Sequence, residues 1–211
     1  RQIDRTADPA DPNTDDSSVS VELAGLSKTC DAPGNQVTIG QSYNYTVSTT
    51  VPAYTVIYNA VLTDDIADGL EVDATQTEVD GVPTPIGSVT AVYDAGTGVT
   101  AVTWDIGDYA NNTASPLVLS LVISVHVKDT YHDGTPVNGL SPGQDTFSNT
   151  ADLQWEDADT GGNTYNDSAS APDVTAVEPR LTIDKSWQNL THPGQQPEAG
   201  DTLLYTVQVD N

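Results

Sequence analysis

Two stretches of the sequence repeat each other. Leu26-Ser27-Lys28-Thr29 leads into Ile39-Gly40-Gln41-Ser42-Tyr43-Asn44-Tyr45-Thr46-Val47, and Ile183-Asp184-Lys185-Ser186 leads into Ala199-Gly200-Asp201-Thr202-Leu203-Leu204-Tyr205-Thr206-Val207. The offset is roughly 155 to 160 residues, the length of one whole module, and self-similarity at a fixed period implies an array of like units. The repetition divides the chain into four parts. Residues 1–18 are an acidic linker or disordered arm, carrying Asp-Pro twice and five Asp. Residues 19–177 are one complete repeat, residues 178–180 a Pro-containing joint, and residues 181–211 the first strands of a second, incomplete repeat.

Inside the complete repeat the apolar residues recur with period two. Val19, Val21 and Leu23 alternate with polar neighbours, as do Tyr43, Tyr45 and Val47. Val56, Tyr58, Ala60 and Leu62 form a further stripe. Val89, Ala91 and Tyr93 lie across a turn over 94–98 from Val99, Ala101 and Thr103, which predicts a hairpin. Leu117, Leu119, Leu121, Ile123, Val125 and Val127 give the longest strand. Phe147, Ala151, Leu153 and Trp155 follow, and Ala169, Ala171 and Val174 close the repeat. No window keeps an apolar period of 3.6, and 13 Pro with 16 Gly punctuate the runs. The fold class is therefore all-β, an immunoglobulin-like β-sandwich repeat followed by a partial second repeat.

Charge narrows the partners. The 211 residues carry 31 acids against 6 basic residues, a formal net of -25. Such a surface excludes nucleic acid, whose phosphates need Lys and Arg, and it repels anionic membranes. It fits high salt, abundant divalent cations, or a solubilised surface protein. Of the acids 25 are Asp, a poor helix former and a good turn former. Cys30 is the single cysteine, so no intramolecular disulfide can form. The longest apolar run, Leu117 to Val127, is interrupted by Ser120, Ser124 and His126, so this segment holds no direct membrane insertion.

Four motifs in order resemble a known family. Val61-Leu62-Thr63-Asp64-Asp65-Ile66-Ala67-Asp68-Gly69-Leu70 is similar to the V-x-x-T-D-x-L-P-x-G-L turn of the extracellular repeat called domain of unknown function eleven. Val102-Thr103-Trp104-Asp105-Ile106-Gly107 resembles its W-x-L-G strand, and Ser148-Asn149-Thr150-Ala151 its N-T-A strand. Glu178-Pro179-Arg180-Leu181-Thr182-Ile183-Asp184-Lys185 resembles the joint that opens each copy. The isopeptide-forming fimbrial domain of collagen-adhesin type is a related family. Asp68 departs from the pattern, standing where a small or apolar residue is usual, without expected effect on the fold. The resemblance covers about residues 19–211. It implies an extracellular, cell-surface location and a structural rather than enzymatic role in a bacterial or archaeal adhesin, wall protein or filament.

Beside that resemblance stands a constellation of three polar residues. Strand parity places Lys28 with Leu26 and Cys30, Asp64 with Val56, Tyr58, Ala60, Leu62 and Ile66, and Asn149 with Phe147, Ala151 and Leu153, all toward the apolar side. The functional reading is an isopeptide bond between Lys28 and Asn149 assisted by Asp64, joining the first and last strands of the repeat. The alternative is a buried Lys28–Asp64 ion pair hydrogen-bonded by Asn149. Lys128 is out of phase with its strand and should be solvated.

Other chemistry is thinner. Asp157, Asp159, Asn163 and Asp167, and in the arm Asp8, Asp11, Asp15 and Asp16, offer hard oxygens that Ca2+ could use, or are solvated loops. No other cofactor is implied. Sequons at Asn44, Asn111, Asn166 and Asn189 are candidate glycosylation sites. Gly139-Leu140-Ser141-Pro142-Gly143 matches a nucleophile elbow in letters only, since Pro142 denies the following helix. Trp104, Trp155 and Tyr131 could form a sugar platform or simply pack in the core. The loops 105–115 and 131–143 are the natural surface if the chain is a glycan- or protein-binding module. A third reading is a self-assembling filament or surface-layer subunit using strand exchange. In the partial repeat Ile183, Lys185, Trp187, Leu203 and Tyr205 would be exposed on an isolated strand pair. The expected partners are therefore neighbouring repeats or other copies of the chain.

Overall fold

The computed structural model describes residues 25–179 and 181–210. The 1–18 arm, the alternation at Val19 to Leu23, Arg180 of the joint, and Asn211 lie outside the described residues. Thirteen strands follow in order: β1 (Leu26–Cys30), β2 (Gln36–Thr38), β3 (Ser42–Val51), β4 (Thr55–Ile66), β5 (Leu70–Val79), β6 (Val82–Pro83) and β7 (Ser88–Tyr93). Then come β8 (Thr100–Asn111), β9 (Leu117–Val127), β10 (Thr146–Glu156), β11 (Thr164–Val177), β12 (Thr182–Asn189) and β13 (Leu203–Asp210). A 3-10 turn at Pro33–Asn35 is the one helical element among the described residues.

The first eleven strands make the sandwich. One sheet has the order β1-β3-β9-β5-β6 and the other β2-β11-β10-β4-β8-β7. Pairing is antiparallel throughout except where short β2 runs parallel to β11. Tyr45, Val47, Leu121 and Ile123 from the first sheet and Ile57, Leu62, Trp104 and Leu153 from the second belong to one buried cluster. Each such side chain contributes about 1.5 to 3 kcal/mol when fully removed from water. Strands β12 and β13 form a separate two-stranded ribbon.

Two apolar stripes are displaced by one residue from those expected. On β4 the buried apolar residues are Ile57, Ala60, Leu62 and Ile66, so Val56 and Tyr58 do not share the face of Ala60 and Leu62. An irregularity between Ile57 and Ala60 causes the change, where Asn59 adopts a positive φ of 49° and takes Asp108 Oδ1 on its backbone N–H. On β8 the inward residues are Thr100, Val102, Trp104 and Ile106, not Val99, Ala101 and Thr103. The hairpin exists, but it pairs Val89 with Trp104 and Ala91 with Val102. Burying the Trp104 indole, whose Nε1 donates to the Ile86 carbonyl at 2.8 Å, favours this register, since a one-residue slip would expose it. Strand β5 had no apolar stripe to announce it. It forms because its backbone pairs along β9, with a bulge between Val72 and Ala74.

The excess of Asp has a local use. Short carboxylates fold back onto nearby backbone N–H groups: Asp94 on Gly96, Asp133 on Thr135, Asp145 on Asn138, Asp157 on Asn163, and Asp167 on Ser168. Hydrogen bonds hold three of these carboxyls below the usual carboxylate range: Asp94 first through the Gly96 N–H, Asp133 first through the Thr135 hydroxyl and then its N–H, and Asp157 first through the Asn163 side chain and then its N–H.

The turn between β4 and β5 is sterically tight. Gly69 has φ +89°, and a Cβ there would stand 2.6 Å from Phe147 Cε1 and 2.9 Å from Tyr131 Cε1. Gly81 has φ +74° but open space around it. Gly69→Ala is expected to cost about 3 kcal/mol or more, through strain and overpacking together, whereas Gly81→Ala costs about 1 kcal/mol. Denaturant midpoints of the two variants measure the difference.

Candidate functional site: a buried lysine, aspartate and asparagine

Lys28 lies on β1, opposite Val47 of β3, in the five-stranded sheet. Asp64 lies on β4, opposite Ala151 of β10, in the six-stranded sheet. Asn149 precedes Ala151 by one inward position on β10 and is paired with Ala171 of β11. Alternation turns all three side chains into the space between the sheets, where Lys28 is 6%, Asp64 1% and Asn149 3% exposed. One expectation needs correcting: Asn149 is on β10, the penultimate strand of the sandwich, and β11 is the last. Lys28 and Asn149 thus belong to opposite sheets.

Lys28 Nζ donates to Asp64 Oδ2 in a short, fully buried ion pair. Its ammonium also lies 5.1 Å from the centre of the Tyr45 ring. Tyr45 is a member of this site that strand parity had placed simply in the core. Its hydroxyl meets that of Tyr43 at 3.1 Å, and burial pushes its phenol up to about 12.

Burial dominates the acid–base behaviour of the pair. It lowers the Lys28 pKa, although attraction and hydrogen bonding to Asp64 oppose the shift. It raises that of Asp64, against the pull of Lys28 and a smaller one from the Asn149 amide. Asn149 is thus near enough to favour the carboxylate, yet it makes no hydrogen bond of acceptable geometry. Asn149 Nδ2 and Oδ1 and Asp64 Oδ1 are buried without partners. An orphaned buried polar atom costs about 1 to 3 kcal/mol and calls for an explanation.

Two of the calcium candidates in the loop after β10 and on β11 have partners within the protein. Asp157 is committed to Asn163 through the backbone N–H (2.7 Å) and Nδ2 (3.0 Å), and to the Tyr165 hydroxyl (3.0 Å). Asp167 Oδ2 accepts the Leu26 N–H at 2.6 Å. Among the described residues no group of three or more His, Cys, Asp or Glu is placed to hold a metal ion.

Two of the sequon asparagines are held within turns. Asn111, 1% exposed, donates Nδ2 to the carbonyls of Val51, Pro52 and Ser115 while its Oδ1 accepts the Thr113 N–H. Asn189, also 1% exposed, donates to Asp201 and accepts from the Thr191 and His192 backbone. A glycan on either would have to break these bonds. Asn44 is half-buried and tied to Asp31, and Asn166 is exposed. Trp104 and Trp155 are core residues, Trp155 stacking on Tyr165, so they present no sugar platform. Residues 105–111 are strand β8 rather than loop, and 139–143 lie between β9 and β10 with no helix after them.

Asp68, the departure from the repeat pattern, proves to be an anchor. Its carboxylate takes the Gly69 and His132 backbone N–H groups, the His132 ring at Nδ1 (2.5 Å) and Lys128 Nζ (3.4 Å). Lys128, expected in solvent, is also 5.5 Å from the centre of the Tyr93 ring. Partial burial disfavours the Asp68 anion, but these hydrogen bonds outweigh it, from His132 first, then Gly69 and Lys128, and bring the pKa down to about 2.

No family model matches the chain, so the resemblance to domain of unknown function eleven is not confirmed, and no curated protein matches it. Solved structures do. The major pilin subunit BcpA of Bacillus cereus superposes with a TM-score of 0.50 at 13% identity, covering 89% of this chain and 55% of BcpA. The full-length major pilin SpaD from Corynebacterium diphtheriae gives 0.48 at 16% identity, over 85% of this chain and 39% of SpaD. The pilus protein RrgB from Streptococcus pneumoniae gives 0.45 at 18% identity, over 68% and 24%. These three neighbours are pilus subunits, and the likeness to BcpA is one of fold. This chain spans about half the length of the BcpA chain.

Because the folded-state pKa of Asp68 is depressed from 3.8 to about 2, its contribution to stability is full above the ordinary value and is lost as pH falls between the two. Denaturant unfolding followed from about pH 5 down to about pH 2 is expected to show this loss in the native protein. Asp68→Asn should start less stable at neutral pH and lack that part of the acid limb.

Proposed function

We propose that the sandwich is a structural module of a bacterial or archaeal cell-surface filament, wall protein or adhesin, and that Lys28 and Asn149 become joined by an isopeptide bond. The observation that carries this reading is the buried trio itself: an ion pair enclosed between the sheets, with an amide beside it that has no hydrogen-bond partner. The pilin-like fold supports the module's extracellular role, and no helix among the described residues is long and apolar enough to cross a membrane.

The chemistry follows from desolvation. Burial disfavours both charges, so a proton passes from Lys28 Nζ to Asp64 and leaves a neutral amine beside a carboxylic acid. The amine attacks Asn149 Cγ, forming the new C–N bond. Asp64 protonates Oδ1 where negative charge develops, then accepts a proton from the attacking nitrogen and passes it to Nδ2. The Cγ–Nδ2 bond breaks, the carbonyl reforms by returning its proton to Asp64, and one ammonia departs. No oxidant or cofactor takes part. Fixed proximity in a packed core supplies the rate.

The bond would span the sandwich, fastening β1 of one sheet to β10 of the other. Tension entering at β1 would cross to β10 and leave through β11, so that β2 to β9 bear none of it. Closing a loop of about 120 residues would contribute on the order of 4 to 5 kcal/mol.

Intact-mass spectrometry tests the proposal. The native protein is expected at one ammonia below its sequence mass, and Lys28→Ala, Asn149→Ala and Asp64→Asn at their own sequence masses. Variants that fold without the bond should melt roughly 10 °C lower. A native mass equal to that of the sequence would overturn the bond and leave Lys28 and Asp64 as a buried ion pair.

A further inference from the structure

Strand β7 is a bare edge of the six-stranded sheet. A sheet edge presents unpaired N–H and C=O groups, and sandwiches blunt such edges with charge, proline, shortness or a covering segment. The other three edges of this sandwich are blunted. β6 is two residues long and ends in Pro83, β2 is three residues long, and β1 has its first N–H, that of Leu26, taken by Asp167 of β11. β7 has none of these defences. Ser88-Val89-Thr90-Ala91-Val92-Tyr93 holds no proline and none of the chain's 31 acidic or 6 basic residues. Every residue of it except Val89 is exposed, Val92 at 64% and Tyr93 at 51%.

The hairpin shows which backbone groups are free. Where β7 turns into β8, the Asp94 N–H donates to the Val99 carbonyl at 2.9 Å. Hydrogen-bonded pairs alternate along an antiparallel ladder, and the register from Tyr93 opposite Thr100 to Ser88 opposite Asp105 has no break. Ser88, Thr90 and Val92 therefore bond to β8, while Val89, Ala91 and Tyr93 turn their N–H and C=O groups outward. Among the described residues no backbone group bonds to these outward groups. The same three residues share one face of the strand, and Thr90 and Val92 share the other. An antiparallel second copy, related by a two-fold axis at Ala91, satisfies both conditions at once. Ala91 then meets its own counterpart, Val89 meets Tyr93 and Thr90 meets Val92, each on a common face. Outward backbone groups meet outward backbone groups. Pairs of aromatic and β-branched residues are favourable across strands, and Ser88 falls opposite Asp94, so no carboxylate faces another.

We infer that β7 is a self-association edge, through which two copies of the sandwich pair antiparallel about a two-fold axis at Ala91 and join their six-stranded sheets into one continuous sheet. The absence of charge on the strand matters in this chain. Two molecules with a net charge of -25 repel over most of their surfaces, and along β7 they can approach without setting acid against acid. Lys128, whose ammonium lies 5.5 Å from the centre of the Tyr93 ring, adds a positive charge at the end of the strand. A foreign extended peptide would find the same backbone groups but not the self-matching side chains. The contact is smaller than a standard interface, so its dissociation constant should lie above about 1 μM. The pairing is independent of the isopeptide bond, and no strand is exchanged, because both sandwiches stay whole.

Sedimentation equilibrium of the 211-residue chain tests this. The native protein is expected to pass from monomer to dimer as its concentration rises, and more readily as NaCl screens the repulsion. Ala91→Glu sets like charges face to face and should weaken the dimer several-fold, as should Ala91→Lys, with the near-UV circular dichroism of each unchanged. An equimolar mixture of the two variants should associate again, because a two-fold axis at residue 91 sets glutamate against lysine. In the native protein, hydrogen exchange at the Val89, Ala91 and Tyr93 amides should be fast in dilute solution and slow several-fold on concentration. Thr90 and Val92 should be slow throughout. A chain that stays monomeric at every concentration and salt level would overturn the inference. So would a dimer indifferent to both changes at Ala91 but lost in Trp187→Ser, which would place the contact on the β12–β13 ribbon. Failure of the mixed variants to associate would overturn the two-fold register. Slow exchange of the three outward amides in dilute monomer would show that another part of the same chain covers the edge, and would overturn the inference too.

Discussion

Two opposite charges meet without water between the sheets of this sandwich, and their meeting depends on nearly everything else in the fold being in place. Lys28 comes from an edge strand of one sheet and Asp64 from the middle of the other. A slip of one residue in β1 or β4 would turn its charge outward and leave the partner alone in an apolar core, at a cost of several kcal/mol. The bulge at Asn59, which changes the phase of β4 before it reaches Asp64, is therefore as much a part of the site as the ion pair.

The same enclosure gives the pair its chemical character. An exposed lysine and aspartate would stay charged at neutral pH. Here burial works on both in the direction of neutrality, and Asn149 sits close by with its amide unsatisfied. A buried ion pair kept only for stability is a poor bargain compared with well-packed hydrophobes. A reactive trio gives the arrangement a purpose, because it would turn proximity into a covalent tie between the sheets.

The acidic surface follows a different logic. Many of its carboxylates are used locally, fastening turns through backbone N–H groups, and Asp68 gathers His132, Lys128 and Gly69 at one end of the sandwich. This explains why Asp outnumbers Glu: the shorter side chain reaches its own turn. In the loop after β10, Asp157 likewise accepts hydrogen bonds from Asn163 and the Tyr165 hydroxyl.

Alternation and repetition made the all-β class, the long strand β9 and the inward direction of Lys28, Asp64 and Asn149 legible from the sequence by itself, because a strand's side chains alternate whatever surrounds them. The repeat likewise foretold the pairing of β12 with β13. Only the tertiary structure decided which phase β8 would adopt, since Trp104 could be placed inward only by packing against strands distant in sequence. It alone revealed β5, whose pairing with β9 substitutes for an apolar stripe, and it assigned Asn149 to β10. It also turned the Asn111 and Asn189 sequons into buried turns and Asp68 into an anchor. Local spacing carries the direction of a side chain. The partners it meets are set by long-range register, which no short window of sequence contains.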